Sequence, residues 1–241
     1  MAETALRTLC LQEDVYLADG LRPSNARPSV AQPRSINFGE AMLWRLFDVL
    51  VASAILMFML PFLIVLAIVT YLGDPGPIFY RHRRIGCRGR YFGCLKFRTM
   101  KVDGDAILKE HLQSNLAARF EWERTRKLRR DPRVTPIGAI VRKLSLDEFP
   151  QLLNVLAGDM SIVGPRPIVE QEVLRYGPYF EYYCQVRPGL TGIWQTSGRS
   201  DTSYQQRVDM DVSYVERKGL ALDAWLLLKT LPAVMFARGS Y

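Results

Sequence analysis

The stretch Val49–Leu72, VLVASAILMFMLPFLIVLAIVTYL, decides the fold, because it carries no charge over 24 residues. As a helix it would be about 36 Å long, enough to cross a hydrocarbon core of about 30 Å. A helix buried in a soluble core is the competing reading, and this length and hydrophobicity argue against it. The segment therefore attaches the chain to a membrane. Pro61 stands near its middle, lacks an N–H and clashes with the carbonyl of Met57, which predicts a kink. Arg22, Arg27, Arg34 and Arg45 precede the segment; Arg81, Arg83, Arg84, Arg88 and Arg90 follow it. Lys/Arg-rich flanks prefer the cytoplasmic side, and a straight span cannot place both flanks there. A helix that enters, bends at Pro61 and returns can. A kinked single span is the alternative, since prolines also occur in spanning helices.

Outside this segment the chain of 241 residues has room for one large domain or a domain with an appendage, and 49% hydrophobic residues allow a real core. A formal charge of +8 attracts polyanions such as nucleic acid, anionic lipid or phosphorylated substrates. No nucleic-acid-binding module is recognisable, so nucleic acid is not an expected partner. The first twenty residues carry Glu3, Glu13, Asp14 and Asp19 and no long apolar run, unlike a signal peptide. Residues 20–39 are rich in Pro, Ser, Asn and Arg, so 1–39 reads as a flexible tail. Cys10, Cys87, Cys94 and Cys184 form no CxxC pair, and His82 and His111 are the only histidines. Zinc-ligand spacing is missing, and reduced thiols are expected.

After the membrane segment, IFYRHRRIG and RYFGCLKFR flank CRG and predict a basic β-hairpin facing lipid headgroups. Ile107, Leu108, Leu112, Leu116 and Phe120 fall at helical spacing and predict one amphipathic helix across 103–128. Further helices are expected in IVEQEVLRYG, in SYQQRVDMDVSYVERKG, and in the C-terminal LALDAWLLLKTLPAVMFARGSY, which is interrupted by Asp223, Lys229 and Pro232 and lies on the protein or at the membrane interface instead of forming a second span. The expected class is α+β and mainly helical, with a re-entrant membrane helix-break-helix, amphipathic interfacial helices and a small hairpin. The expected division is a tail at 1–39, the membrane helix and its following turn at 40–77, and a cytosolic interfacial catalytic domain at 78–241.

The stretch RKLSLDEFPQLLNVL, 142–156, sets Asp147 and Glu148 between a basic pair and an apolar run. Ser145 and Glu148 have the spacing of a capping box. Pro150 disturbs that assignment, because it would remove a hydrogen bond inside the helix. A helix starting near Asp147 puts Pro150 in the first turn and both acids at the positive helix end. There an ionised aspartate is a competent nucleophile toward phosphorus. The neighbouring glutamate can share Mg²⁺ with phosphate oxygens. Arg142, Lys143 and Arg166, the last in the rigid GPRP of 164–167, can neutralise phosphate charge.

Together GPIFYRHRRIG, KFRTM, DPRVTPIGAIVRKLSLDEFPQLLNVLAGDMSIVGPRP and VRPGLTGIWQTSGR resemble the bacterial sugar transferase family, the small monotopic phosphoglycosyl transferases. The likeness runs from about 40 to 236, with several separated motifs in the same order. It implies transfer of a hexose-1-phosphate, of galactose or glucose, from a UDP-sugar to undecaprenyl phosphate with release of UMP. This is the first membrane step of exopolysaccharide repeat-unit synthesis. The implied route is ping-pong through an aspartyl-phosphosugar, with Asp147 as nucleophile and Glu148 as the Mg²⁺ ligand. Lys96, Arg142 and Arg166 match basic positions at the phosphates. The implied location is the cytoplasmic face of a bacterial inner membrane, with membrane lipid as a partner and a re-entrant anchor. That anchor often has Ser-Pro at its break, where this chain has Leu60-Pro61. The competing expectation is a non-catalytic, membrane-anchored basic module that binds anionic lipid or nucleic acid and ignores the two acids.

Overall fold

In the structure, a computed structural model, residues 37–197 and 202–235 are described. Most of the expected tail lies outside them. Asn37 opens the first helix by accepting the Glu40 amide at 2.8 Å. This helix, α1, runs Phe38–Gly73 and is long and apolar enough to cross a membrane by length and composition. It is helical on both sides of Pro61 without interruption, so the expected break is not a gap in the helix. One proline removes one donor, and the remaining bonds of the ladder carry the helix past it.

Both halves of α1 rest on the same body. Ala52 joins Leu152, Val155 and Met160 in the main core, whereas Leu66 packs with Phe97 and Val141 in a smaller one. Polar ties reinforce both ends. The Arg45 guanidinium donates to the carbonyls of Val155 and Leu156 at 2.5 and 2.6 Å. The Asp48 carboxylate accepts from Ser161 Oγ at 2.8 Å and from the Ile162 amide at 2.9 Å. At the far end Arg98 donates to the Asp74 carbonyl and pairs with its carboxylate at 3.4 Å. Between these anchors Met57, Phe58, Leu60, Phe62, Ile64 and Val65 are exposed. An exposed apolar patch of this kind marks a lipid or partner surface.

The hairpin forms as expected. β1, Phe79–Ile85, pairs antiparallel with β2, Tyr91–Phe97, from Phe79 opposite Phe97 to Ile85 opposite Tyr91. Arg88 and Gly89 take positive φ in the turn, which lets five residues reverse the chain. The helix expected over 103–128 is two helices, α2 at Gly104–Ser114 and α3 at Leu116–Thr125. The cause is Asn115, whose extended backbone ends α2 and whose side chain caps α3 by accepting the Ala118 amide at 3.0 Å. Of the apolar stripe, Leu116 and Phe120 are exposed while Ile107, Leu108 and Leu112 are half-buried.

Pro136–Lys143 forms α4, started by Thr135, whose hydroxyl accepts the Gly138 amide at 2.9 Å. α5 is Gln151–Ala157 and ends on Gly158 at φ 91. β3, Ser161–Val163, follows and pairs in parallel with β4, Gly189–Thr191, a contact the expected fold did not include. The remaining helices are α6 at Glu170–Tyr176, α7 at Phe180–Cys184, α8 at Ile193–Ser197, α9 at Tyr204–Arg217 and α10 at Leu220–Met235. In α10, Asp223 and Leu226 are buried while Trp225 and Leu228 are exposed, so one face of that helix lies on the protein. Cys87, Cys94 and Cys184 are free thiols.

Candidate active site

Asp147 and Glu148 sit in a single 3-10 turn, Leu146–Glu148, between α4 and α5. Ser145 enters it with φ 56 and makes no capping bond, so the capping box is absent. The expected helix start near Asp147 is also corrected: α5 begins at Gln151, with Pro150 in the cap position. Proline lacks the donor that a cap position does not need, and the chain before it tightens into 3-10 geometry. The two acids therefore precede the helix instead of occupying its first turn. Leu146 packs in the small core with Phe97 and Val141, and Phe149 packs in the main one. These apolar anchors on either side fix the turn and aim the carboxylates away from both cores.

The hairpin supplies the counter-charge. Lys96 Nζ lies 2.6 Å from Glu148 Oε1 and 3.6 Å from Asp147 Oδ2. Burial pushes the Asp147 carboxyl above its ordinary range; Lys96 opposes this, and the Glu148 charge adds to it. Partial burial also pushes Glu148 upward, but Lys96, with help from Arg166 and Arg84, outweighs it and holds that carboxyl below the usual range. Adjacent acids thus differ in character. Asp147 is the more enclosed and more basic, and Glu148 is the firmly ionised one.

The expected arginines converge on the same place. Arg142 ends α4, and its Nε donates to Thr99 Oγ1 at 2.7 Å. The start of that helix is docked on the same residue, since the Thr135 amide donates to the Thr99 carbonyl at 3.1 Å. Arg166 leaves the loop Gly164–Pro167 exposed, with its Cζ 5.9 Å from the centre of the Trp194 ring. Gly164 lies so close to the Arg187–Gly189 backbone that a Cβ would not fit. The Gly164 amide donates to the Thr191 carbonyl at 2.9 Å, and the Gly189 amide to the Pro165 carbonyl at 2.8 Å. Lys96, Arg142, Asp147, Glu148 and Arg166 all border one open groove of about 2020 Å³. Basic side chains far outnumber acidic ones along its wall.

Other residues enter the site unforeseen. Arg84, half-buried, donates to the Pro167 carbonyl at 3.0 Å and lies 3.8 Å from Glu172, so it braces the loop that carries Arg166. His82 lines the groove beside it. Both were hidden in a run of arginines, although period-two alternation separates their face from that of Arg81 and Arg83. Arg98, the last residue of the expected basic hairpin, is tied to Asp74 at the end of α1.

Comparison with known proteins covers most of the chain. Residues 39–237 match the family described as bacterial sugar transferase. An exopolysaccharide production protein of Sinorhizobium fredii, ExoY, is 54% identical over 198 residues, covering 82% of this chain and 87% of that protein. An undecaprenyl-phosphate galactose phosphotransferase of Salmonella typhimurium is 46% identical over 83% of this chain and 42% of its own length. A UDP-glucose:undecaprenyl-phosphate glucose-1-phosphate transferase of Caulobacter vibrioides is 34% identical over 92% of this chain and 77% of its own. The chain belongs to the bacterial sugar transferase family and is a phosphoglycosyl transferase.

Proposed function

We propose that the protein transfers a hexose-1-phosphate, galactose or glucose, from a UDP-sugar to undecaprenyl phosphate and releases UMP. The observation that carries the reading is the pair Asp147 and Glu148 beside Lys96 in a groove that also holds Arg142 and Arg166. An Asp147 oxygen attacks the phosphorus that bears the sugar, and the bond from that phosphorus to the bridging oxygen breaks. UMP leaves with that oxygen. A phosphate oxygen of undecaprenyl phosphate then attacks the same phosphorus, forms the new diphosphate and frees Asp147. The raised basicity of Asp147 strengthens it as a nucleophile. Lys96, Arg142 and Arg166 offset the negative charge that gathers as phosphate meets carboxylate.

Mg²⁺ is the expected cofactor. Among the described residues no cluster of three acidic, histidine or cysteine side chains could hold a metal by itself. One or two carboxylates that share the ion with substrate phosphates suit Mg²⁺, and Glu148 with its partly open carboxylate is the fitting ligand. When bound, the ion would neutralise diphosphate charge.

The membrane reading is a re-entrant anchor on the cytoplasmic face of a bacterial inner membrane. Its support is that Ala52 and Leu66, on opposite sides of Pro61, both pack on the same body while the apolar stretch between them is largely exposed. A straight crossing would carry one of those contacts to the other side of the bilayer. Such an anchor holds the groove at headgroup level, where a lipid phosphate and a soluble nucleotide sugar can both reach it. The first step of exopolysaccharide repeat-unit synthesis is the role this chemistry fits.

The test is UMP release by the full chain in lipid nanodiscs with a UDP-hexose, undecaprenyl phosphate and Mg²⁺. Asp147→Asn should abolish release and still insert in membranes. Full activity in that variant would remove Asp147 as the nucleophile.

A further inference from the structure

Strand β1 presents Tyr80, His82 and Arg84 on one face. In the hairpin register Tyr80 lies opposite Lys96, and His82 lies opposite Cys94. Tyr80 therefore stands across the ladder from the lysine that holds Asp147 and Glu148, with His82 one same-face position further along. Both line the groove. Their centroids are 5.9 Å apart at an interplanar angle of 53°, and Tyr80 is exposed.

The imidazole is not free to choose its proton. Arg84 reaches His82 Nδ1 at 3.3 Å. A guanidinium donates and cannot accept, so Nδ1 is the acceptor and the ring proton sits on Nε2. Arg84 is itself held by the Pro167 carbonyl, so the tautomer is set by the same contact that braces the Arg166 loop. Burial lowers the His82 pKa, and Arg84, Lys96 and Arg166 lower it further. The groove therefore carries an uncharged, directional donor among several cations.

We propose that His82 and Tyr80 form the sugar subsite of this groove, with the His82 Nε2–H donating to a hydroxyl of the transferred hexose and the Tyr80 ring packing on a C–H face of the sugar. The inference rests on the transferase reading above. Lys96, Arg142 and Arg166 already supply charge for phosphate oxygens, and a neutral donor suits an uncharged hydroxyl instead. A directional donor also discriminates. A sugar that turns its hydroxyl away leaves the Nε2–H unpaired in a partly dehydrated site. An aromatic platform adds apolar contact area beneath the sugar ring.

The experiment measures kcat/KM for UMP release with UDP-galactose and UDP-glucose, using full-length chain in nanodiscs. His82→Ala should lower kcat/KM for the preferred sugar by roughly tenfold and bring the ratio between the two epimers close to one. His82→Gln, which keeps a neutral donor, should restore most of both. Tyr80→Leu, at an exposed position, should raise KM for both sugars. An unchanged epimer ratio in His82→Ala, with UMP still released by the unaltered protein, overturns the inference and leaves the transferase reading standing. So does a KM in Tyr80→Leu equal to that of the unaltered protein. If the unaltered protein releases no UMP from either sugar, both readings fall.

Discussion

At position 96 one ammonium serves two carboxylates, at 2.6 Å from Glu148 and 3.6 Å from Asp147. Removing it should disturb both acids in the same direction. Lys96→Met is expected to reduce UMP release by about 10²-fold or more and to move the acid limb of the pH–rate profile to higher pH. The sign follows from Glu148, whose folded pKa lies below its ordinary value because of Lys96. Its ion pair contributes stability that is present above the unfolded pKa and lost as pH falls through the folded one. Without Lys96 that pair is absent and Glu148 takes up its proton at higher pH, which moves the acid limb upward. A profile that keeps its acid limb unmoved would contradict this account. The two acids were legible in the sequence as an unusual pair before a proline. Lys96 was legible through family likeness alone, because 52 residues separate it from Glu148. His82 and Arg84 went unnoticed because composition shows a basic run, and only strand alternation with a real partner shows which side chains share a face.

Among the elements, the short ones fix the charged groups of the groove through backbone contacts that admit no side chain. A Cβ on Gly138 would run into the Thr99 carbonyl, and one on Gly164 into the backbone near Gly189. Gly138→Ala should cost about 1–3 kcal/mol and shift α4, loosening Arg142 from Thr99. Gly164→Ala should do the same to the loop of Arg166. Thermal unfolding together with kcat would show whether stability and activity fall in step. For α1, a cysteine placed near residue 30 should resist a membrane-impermeant thiol reagent added outside intact cells. Labelling there would sink the re-entrant reading. Hydropathy made α1 visible from the sequence, and turn chemistry made the hairpin visible. The divided helix at Asn115 was missed because helical spacing continues across the cap. The start of α5 was misplaced because Pro150 tolerates several first-turn positions and packing chooses among them.

Across the whole molecule, buried acids join distant segments. Asp48 in α1 accepts two hydrogen bonds from β3, which runs directly into the loop of Arg166. Asp48→Ala would leave a buried hydroxyl and amide unpaired, and should cost about 1–3 kcal/mol. If α1 also sets the register of that loop, kcat for UMP release should fall further than the lost stability explains in Asp48→Ala and recover in part in Asp48→Asn. Beside a third buried cluster, of Ile85, Ile168, Tyr176, Tyr183 and Val208, burial raises the Asp211 carboxyl to about 7, although Tyr176 donates to it at 2.6 Å. A carboxyl with a raised folded pKa binds its proton more tightly in the folded state. Its contribution to stability therefore declines as pH rises from its ordinary 3.8 to about 7, and is constant above that. Melting temperatures across this range should show the decline, and Asp211→Asn should flatten it. The sequence by itself determined that the chain carries a long uncharged apolar helical segment, that a basic hairpin follows, and that two acids stand at a proline-marked turn. Those are local properties of hydropathy, turn residues and charge. Tertiary structure alone decided that both halves of α1 lie on one body, that Lys96 neutralises Glu148, and that Arg84 orients His82 while bracing Pro167. The first two join residues far apart in the chain, and the third combines strand geometry with a distant loop, so no spacing rule along the sequence reports them.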